Sequence, residues 1–170
     1  VNPLEKRPYF KNKHSIILSY KRFLKVFNVL TKIKDNLPSN LNIIDVGVYP
    51  GSGVKLSKLV FKNIKNYLGI GLGLSETFKN EMKEEKVVST LETEIDPSFC
   101  EAKTIVDWGV KNYDLCLLLD TIEHLTDPTF CLDQINKSLK IEGYLLITTD
   151  NINNFLYILD MLRKGKSPNV

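Results

Sequence analysis

The sequence predicts an α/β fold, an open and mostly parallel sheet with helices on both faces. Two observations carry that prediction. From Asn42 onward, short apolar runs alternate with segments of helical period, the order that right-handed βαβ crossovers produce. The run DLCLLL, Asp114 to Leu119, is continuously apolar after its first residue, as a strand buried on both sheet faces has to be.

Each element has its own signal. From Ser15 to about Asn36, Ile16, Tyr20, Phe23, Phe27 and Leu30 recur at three- and four-residue spacing with lysines between them, which is an amphipathic helix. Pro38 in LPSN cannot continue it. Asn42–Val48 reads as the first strand and Val54–Ile64 as the helix after it. Tyr67–Ile70 is the second strand, and Ser75–Glu85 a helix with Ser75 as its cap. Val87 to about Leu91 is the third strand and Asp114–Leu119 the fourth. Asp127-Pro128 opens a helix with a capping carboxylate and a proline in the first turn. That helix carries Cys131, Ile135 and Leu139 on one face, and Gly143 closes it. YLLITT is the fifth strand, and Asn153–Lys164 a final helix.

A chain of 170 residues with 43% hydrophobic composition can bury a substantial core as one compact body. Its organisation reads as a basic helical segment, residues 1–40, followed by the α/β domain, residues 41–170. No run of eighteen apolar residues is present, so no transmembrane helix is expected. No signal peptide is visible, and because the chain opens on Val1 a longer N-terminus is expected. Cys100, Cys116 and Cys131 are scattered without a C-x-x-C, which argues against a disulfide framework or zinc site and fits a reducing, cytoplasmic setting.

The net charge of +3 hides an asymmetry. Residues 1–40 hold nine Lys/Arg against two acids, and the remaining 130 hold fourteen against eighteen. A basic arm of this kind can attract phosphate, nucleic acid or an anionic membrane surface. A solvated helix face is the plainer reading, since aromatic and basic residues do not interleave there.

The most informative stretch is NIIDVGVYPGSGVKLSKLV, Asn42 to Val60. In open α/β sheets the ligand lies outside the carboxyl ends of the strands, where strand order reverses. Here the first strand ends at Asp45-Val46-Gly47, and Gly51 and Gly53 let the backbone pass close to a ligand at the start of the next helix. A helix N-terminus favours an anion. The spacing is D-x-G-x-x-x-G-x-G, not the G-x-G-x-x-G of dinucleotide sites. An acid at the strand tip repels a pyrophosphate but welcomes an ammonium group. A zwitterionic amino-acid tail suits it, with its carboxylate toward the helix and its ammonium toward Asp45.

IIDVGVYPGSG resembles the first motif of class I S-adenosylmethionine-dependent methyltransferases. YDLCLLLDTIEHLTDPTFCLDQINKSLKIEGYLLITTDN resembles their later block, which in many small-molecule methyltransferases runs from an aromatic-Asp pair through Glu-His-Leu to a strand ending in Thr-Thr-x-Asn. Together the two blocks cover Leu41 to Asn151, roughly two thirds of the chain. The resemblance implies a Rossmann-like class I methyltransferase fold, S-adenosylmethionine as cofactor, and methyl transfer to an oxygen or nitrogen of a small molecule.

Residue by residue, the resemblance implies that Asp45, Gly47, Tyr49 and Gly51 surround the methionine part of the cofactor. Leu119 and Asp120 then flank the methionine and the sulfonium. Glu94 or Asp96, after the third strand, holds the adenine amino group. Gly71 stands at the end of the second strand, where the family usually has an acid gripping both ribose hydroxyls. Such charge-assisted hydrogen bonds are worth about 1.5–3 kcal/mol, so its absence is expected to weaken binding, unless Glu76 reaches back. Tyr49 stands where another glycine is common. The family also continues past the fifth strand with two more strands; here the chain stops one helix later, so a shortened C-terminus is expected, leaving the fifth strand as an edge.

In methyl transfer the protein mainly positions two partners, although an oxygen or nitrogen nucleophile also needs a base. DTIEHL supplies Asp120, Glu123 and His124 within five residues. His124 is a candidate base near neutral pH, and Asp120 a second candidate. The alternative is that Glu123-His124 simply starts a helix and shapes the pocket floor. No second cluster supports a metal.

Tyr9, His14 and Tyr20 lie on the segment that in related enzymes folds over the cofactor as a lid, with packing as the plainer role for Tyr20. Trp108 and Tyr113 read as core, and Asp150 as a cap for the last helix. That helix pairs Phe155, Leu156, Leu159 and Leu162 with a basic end, which suits peripheral membrane contact or ordinary packing. Two rivals stand beside methyl transfer. A non-catalytic binding or partner-stabilising module fits Gly71 and the short C-terminus, whereas an NAD-dependent oxidoreductase fits the sheet but not the acid at the strand tip. A nucleic-acid substrate is not expected, since no Asn/Asp-Pro-Pro-aromatic signature follows the fourth strand. Neither the acceptor nor the oligomeric state is legible in the sequence.

Overall fold

The computed structural model describes residues 13–84, 88–92, 108 and 112–149, with side chains from Lys21 onward. Five strands form one parallel sheet in the order β3-β2-β1-β4-β5. They are β1 (Leu41–Val46), β2 (Ile64–Gly71), β3 (Val88–Glu92), β4 (Tyr113–Leu119) and β5 (Leu139–Thr148). The helices are α1 (Lys13–Ile33), α2 (Ser52–Val60), α3 (Glu76–Glu84) and α4 (Pro128–Ser138). Short 3₁₀ turns occupy Lys34–Asn36 and Ile122–His124. Strand order reverses beside β1, which lies between β2 and β4, and the carboxyl ends of strands at such a reversal are where open α/β sheets bind ligands.

Alternate residues of β1 feed opposite cores. Ile43 packs with Val26 and Leu30 of α1, Val54 of α2, Tyr67 of β2, Phe78 and Met82 of α3, and Leu115 and Leu117 of β4. Ile44 and Val46 face the other way, against Trp108, Cys116, Leu118 and the Cys131 and Ile135 side of α4. Burying each large aliphatic side chain contributes about 1.5–3 kcal/mol. This is why β1 and β4 are largely apolar: both of their faces are covered.

The caps expected from the sequence are present. Asp127 accepts a hydrogen bond from the Phe130 amide at 3.1 Å, with Pro128 in the first turn. The Ser75 hydroxyl accepts from the Phe78 amide at 3.2 Å.

Several boundaries differ from the sequence reading, three of them with a clear cause. The first strand stops at Val46 rather than Val48, because Gly47 turns to φ +82° and the Gly47 and Val48 amides both donate to the Ile70 carbonyl. The following helix is Ser52–Val60, not Val54–Ile64. Phe61 is extended, the Asn63 carbonyl accepts from the Leu41 amide, and Ile64 already pairs with Leu41 in the sheet. Ladder hydrogen bonds outweigh a helical spacing of apolar residues there.

At the other end, α4 stops at Ser138, and Leu139 is an extended residue paired with Tyr113 rather than part of the helix face. The next aligned pair is Leu115 with Tyr144, so residues 140–143 bulge out of the ladder, with Glu142 at φ +65°. Gly143 therefore belongs to this bulge and does not close the helix; a Cβ there would come within 3.0 Å of the Lys140 carbonyl.

Trp108 is buried and Tyr113 packs against the same core, as read from the sequence. Tyr9, Glu94, Asp96, Cys100, Asp150 and the helix expected over 153–164 lie outside the described residues, as do the side chains of His14 and Tyr20. Among the described residues no helix is long and apolar enough to cross a membrane.

Candidate functional site

The site is built on the two glycines that leave β1. Gly47 at φ +82° and Gly51 at φ +84° both occupy the left-handed region, which glycine enters without a Cβ penalty. The Gly51 amide donates to the Val48 carbonyl at 2.6 Å and closes the turn, and Gly51 is the residue from which α2 departs. Between them Tyr49 is half exposed, its ring meeting Phe78 of α3 edge-to-face at 5.4 Å. At Gly47 a Cβ would collide with the Oγ1 and Cγ2 of Thr121. Thr121 follows β4, and its hydroxyl donates to the Leu119 carbonyl at 3.0 Å. The loops after β1 and β4 thus touch at a point where only glycine fits, a contact that sequence reading missed because nothing local marks Thr121.

Asp45 turns inward. Its carboxylate accepts the Tyr67 hydroxyl hydrogen bond at 2.6 Å, and the residue is only 2% exposed. Burial pushes its carboxyl up to about 7, with the Tyr67 hydrogen bond opposing the rise. The same burial, together with the Asp45 charge, raises the Tyr67 hydroxyl well above its ordinary range. The acid therefore lies below α2, and what faces outward from the turn is backbone.

Along β2, a Cβ on Gly71 would lie 2.8 Å from the Leu74 side chain, so Leu74 fills the space that an acid would need. Gly71 pairs in register with Glu92 at the tip of β3. The Glu92 carboxylate is bonded to Lys79 of α3 at 2.5 Å. That bond is the main cause holding it below the ordinary carboxylate range, and the backbone amides of Gly73 and Leu74 add to it. Glu76 bonds along its own helix to Lys79 at 3.0 Å rather than turning back toward Gly71. Among the described residues, Glu92 is an acid at this part of the edge, two residues before Glu94; Glu94 and Asp96 themselves lie outside the described residues. The signal for Glu92 was the last polar residue of the third strand, read one residue too short.

At the end of β4, Leu119 is half-buried and Asp120 takes φ +51°. The Asp120 amide donates to the Thr148 carbonyl at 3.0 Å, and its Oδ1 accepts from the Thr148 hydroxyl at 2.8 Å. The same oxygen meets the Arg22 guanidinium of α1 at 2.9 Å. Arg22 is a second residue that sequence reading missed, although the basic charge of the N-terminal arm pointed in its direction. Glu123 and His124 are exposed in the 3₁₀ turn that follows, where the His124 amide donates to the Thr121 carbonyl. Among the described residues no three His, Cys, Asp or Glu side chains gather in a way that could hold a metal ion.

Asp45, Gly47, Tyr49, Gly51, Gly71, Leu119 and Asp120 thus meet at or just past the carboxyl ends of β1, β2 and β4. No family model and no curated protein sequence matches the chain. Solved structures do match it. A putative methyltransferase from Bacillus halodurans superposes with a TM-score of 0.57 at 14% identity, over 82% of this chain and 59% of that one. Coclaurine N-methyltransferase bound to N-methylheliamine and S-adenosylhomocysteine gives 0.53 at 16% identity, over 75% and 35%. The [4+2]-cyclase SpnF gives 0.55 at 14% identity, over 74% and 44%.

The chain has the class I methyltransferase fold.

It spans from about a third to three fifths of the length of these three structures. A cyclase stands among them, so the class I methyltransferase fold does not by itself fix the reaction.

Proposed function

We propose that this chain binds S-adenosylmethionine across the carboxyl ends of β1, β2 and β4 and transfers its methyl group to an oxygen or nitrogen of a small molecule. The observation that carries the reading is the pair of left-handed glycines, Gly47 and Gly51, which present backbone at the start of α2 above a buried acid. The residues present fit such a ligand. The first turn of a helix has amide groups without intrahelical partners, which suit the carboxylate of an amino-acid tail. Asp45 and Asp120 supply negative charge for its ammonium, and Leu119 and Tyr49 supply apolar surface for the remainder. When bound, the cofactor supplies a methyl group already activated on a sulfonium.

The chain's own residues then bind, orient and accept a proton. His124, exposed in the turn after β4, is the candidate to take the proton from an acceptor hydroxyl or amine. Asp120, through Arg22, fixes α1 across this edge. Residues 1–40 act on this reading as the lid and acceptor side, and 41–170 as the cofactor-binding part. A cytoplasmic setting fits the buried cysteines Cys116 and Cys131, neither of which is in a disulfide.

Methyl-labelled S-adenosylmethionine offered with a panel of small alcohols, phenols and amines tests the activity. Label should move to at least one acceptor. His124→Ala should lower turnover about 10²–10⁴-fold with cofactor affinity unchanged. A second reading, a non-catalytic binding module, is favoured by Leu74 filling the space beside Gly71 and by Glu92 being engaged with Lys79. Tight cofactor binding with no transfer to any acceptor would favour it.

A further inference from the structure

Beneath the glycine turn Asp45 is joined to a side chain that the reading just given does not use, Tyr67. Tyr67 of β2 reaches toward β1, and its hydroxyl donates to Asp45 Oδ2 at 2.6 Å. Both residues are closed off from solvent, at 1% and 2% exposure. Directly above them is Gly53, the second residue of α2. A Cβ on Gly53 would overlap Asp45 Oδ2 and come within 2.9 Å of the Tyr67 hydroxyl. The first turn of α2 therefore rests on two oxygen atoms, with only the α-hydrogens of a glycine between.

The groups that face this pair come from each neighbouring strand and from the helix. Burial first, and then the Asp45 charge, raises the thiol of Cys116 on β4, and the buried Ser57 of α2 lies over the Tyr67 side of the pair. Among the described residues, no lysine, arginine or histidine is a cause of the shift at Asp45. An ionised Asp45 is thus balanced by one phenol and by the positive end of α2.

We propose that Tyr67 and Asp45 form a positioning device for the ligand cradle. In its ionised form, held by the Tyr67 hydroxyl, Asp45 draws down the first turn of α2 and presents a negative charge beneath the place where a ligand's ammonium lies; protonation withdraws that charge. Tyr67 is a positioning residue, since it acts through Asp45. The proposal rests on the cofactor reading above and adds a specificity to it: the pair discriminates for ligands with an ammonium-bearing tail, and it couples their affinity to one proton.

The sign follows from the geometry. A hydrogen bond donated to the charged form favours that form, so Tyr67→Phe should move the Asp45 titration to higher pH. Affinity for an ammonium-bearing ligand should rise up to about tenfold per pH unit below the midpoint and level off above it, as linkage to a single proton requires.

The test is calorimetric titration of the full chain with S-adenosylhomocysteine, and with methylthioadenosine, which lacks the amino-acid tail, between about pH 6 and about pH 8. The Asp45 carboxyl resonance is followed by NMR in the ligand-free chain. The expected result is a pH-dependent affinity for S-adenosylhomocysteine with its midpoint displaced upward in Tyr67→Phe, and a flat profile for methylthioadenosine. Asp45→Asn, which keeps the volume, should bind S-adenosylhomocysteine weakly and without pH dependence.

A flat S-adenosylhomocysteine profile in the parent chain, or an unmoved midpoint in Tyr67→Phe, overturns the proposal while leaving the cofactor reading in place. Absence of S-adenosylhomocysteine binding at every pH, with the Asp45 resonance still titrating and still moved by Tyr67→Phe, overturns the cofactor reading and the ligand coupling with it.

Discussion

Arg22 of α1 and Asp120 at the end of β4 form an ion pair of 2.9 Å, and the Thr148 hydroxyl at the end of β5 donates to the same carboxylate oxygen at 2.8 Å. One carboxylate therefore ties the N-terminal helix to two strand ends at the edge where the ligand is proposed to bind. Both partners are partly exposed, so the pair should stabilise the fold by no more than about 1 kcal/mol. A double-mutant cycle with Arg22→Gln and Asp120→Asn, read as unfolding free energies, should give a coupling of about 0.5–1 kcal/mol that shrinks as salt is added. A coupling indistinguishable from zero at low salt would mean that α1 is held only by Val26, Leu30 and their apolar neighbours.

Gly47 should tolerate no side chain. Its φ of +82° is costly for alanine, and the new Cβ would meet Thr121. Gly47→Ala is expected to destabilise the chain by about 2–4 kcal/mol in urea unfolding. Adding Thr121→Ala should recover the part of that loss due to Oγ1 and Cγ2, but not the part due to φ or to the Thr121 Cβ, 2.9 Å away. If the double variant were no more stable than the single one, the contact between the two loops would not be the cause.

Asp45 gives stability a defined pH dependence. Its folded-state carboxyl is raised to about 7, above its ordinary value, so between about pH 4 and pH 7 the folded chain holds a proton that the unfolded chain has released. The contribution of this group is fully present below the unfolded value and is lost as pH rises through about 7. The slope is at most about 1.4 kcal/mol per pH unit. Unfolding free energies of the parent chain and Asp45→Asn, measured across this range, should diverge in favour of the asparagine variant as pH rises. Parallel curves would contradict burial as the dominant influence on this carboxyl.

Restoring an acid to the end of β2 should strengthen cofactor binding most where Leu74 no longer competes for the space. Gly71→Asp alone brings its Cβ within 2.8 Å of Leu74, the movable end of a flexible side chain. Gly71→Asp with Leu74→Ala is expected to bind S-adenosylhomocysteine about tenfold or more tightly than Leu74→Ala alone, the gain of charge-assisted hydrogen bonds. No gain would mean that the ligand's hydroxyls lie elsewhere, with Glu92 the next position to examine.

Much of this fold could be read from periodicity and punctuation. Asp127-Pro128 and Ser75 marked helix starts because a cap is a local event, and DLCLLL marked a central strand because both sheet faces are covered. The helix ends failed where the deciding partner was distant. Ile64 continues the apolar spacing of α2 but is claimed by a ladder with Leu41, and Gly143 looks like a helix stop but lies in a bulge opposite β4. The glycine turn was legible as a site because φ above zero selects for glycine. Arg22, Tyr67, Thr121 and Glu92 were not, since each matters through a contact with a residue remote in sequence.

The central claim is that the turn from Gly47 to Gly51 is a cofactor cradle. Calorimetric titration of the chain with S-adenosylhomocysteine tests it most directly. The prediction is micromolar binding, about 8 kcal/mol, that is lost in Gly51→Val, where a β-branched residue must occupy φ +84°, while circular dichroism still reports a folded sheet. Absence of binding by the folded parent chain, or equal binding by Gly51→Val, would contradict it.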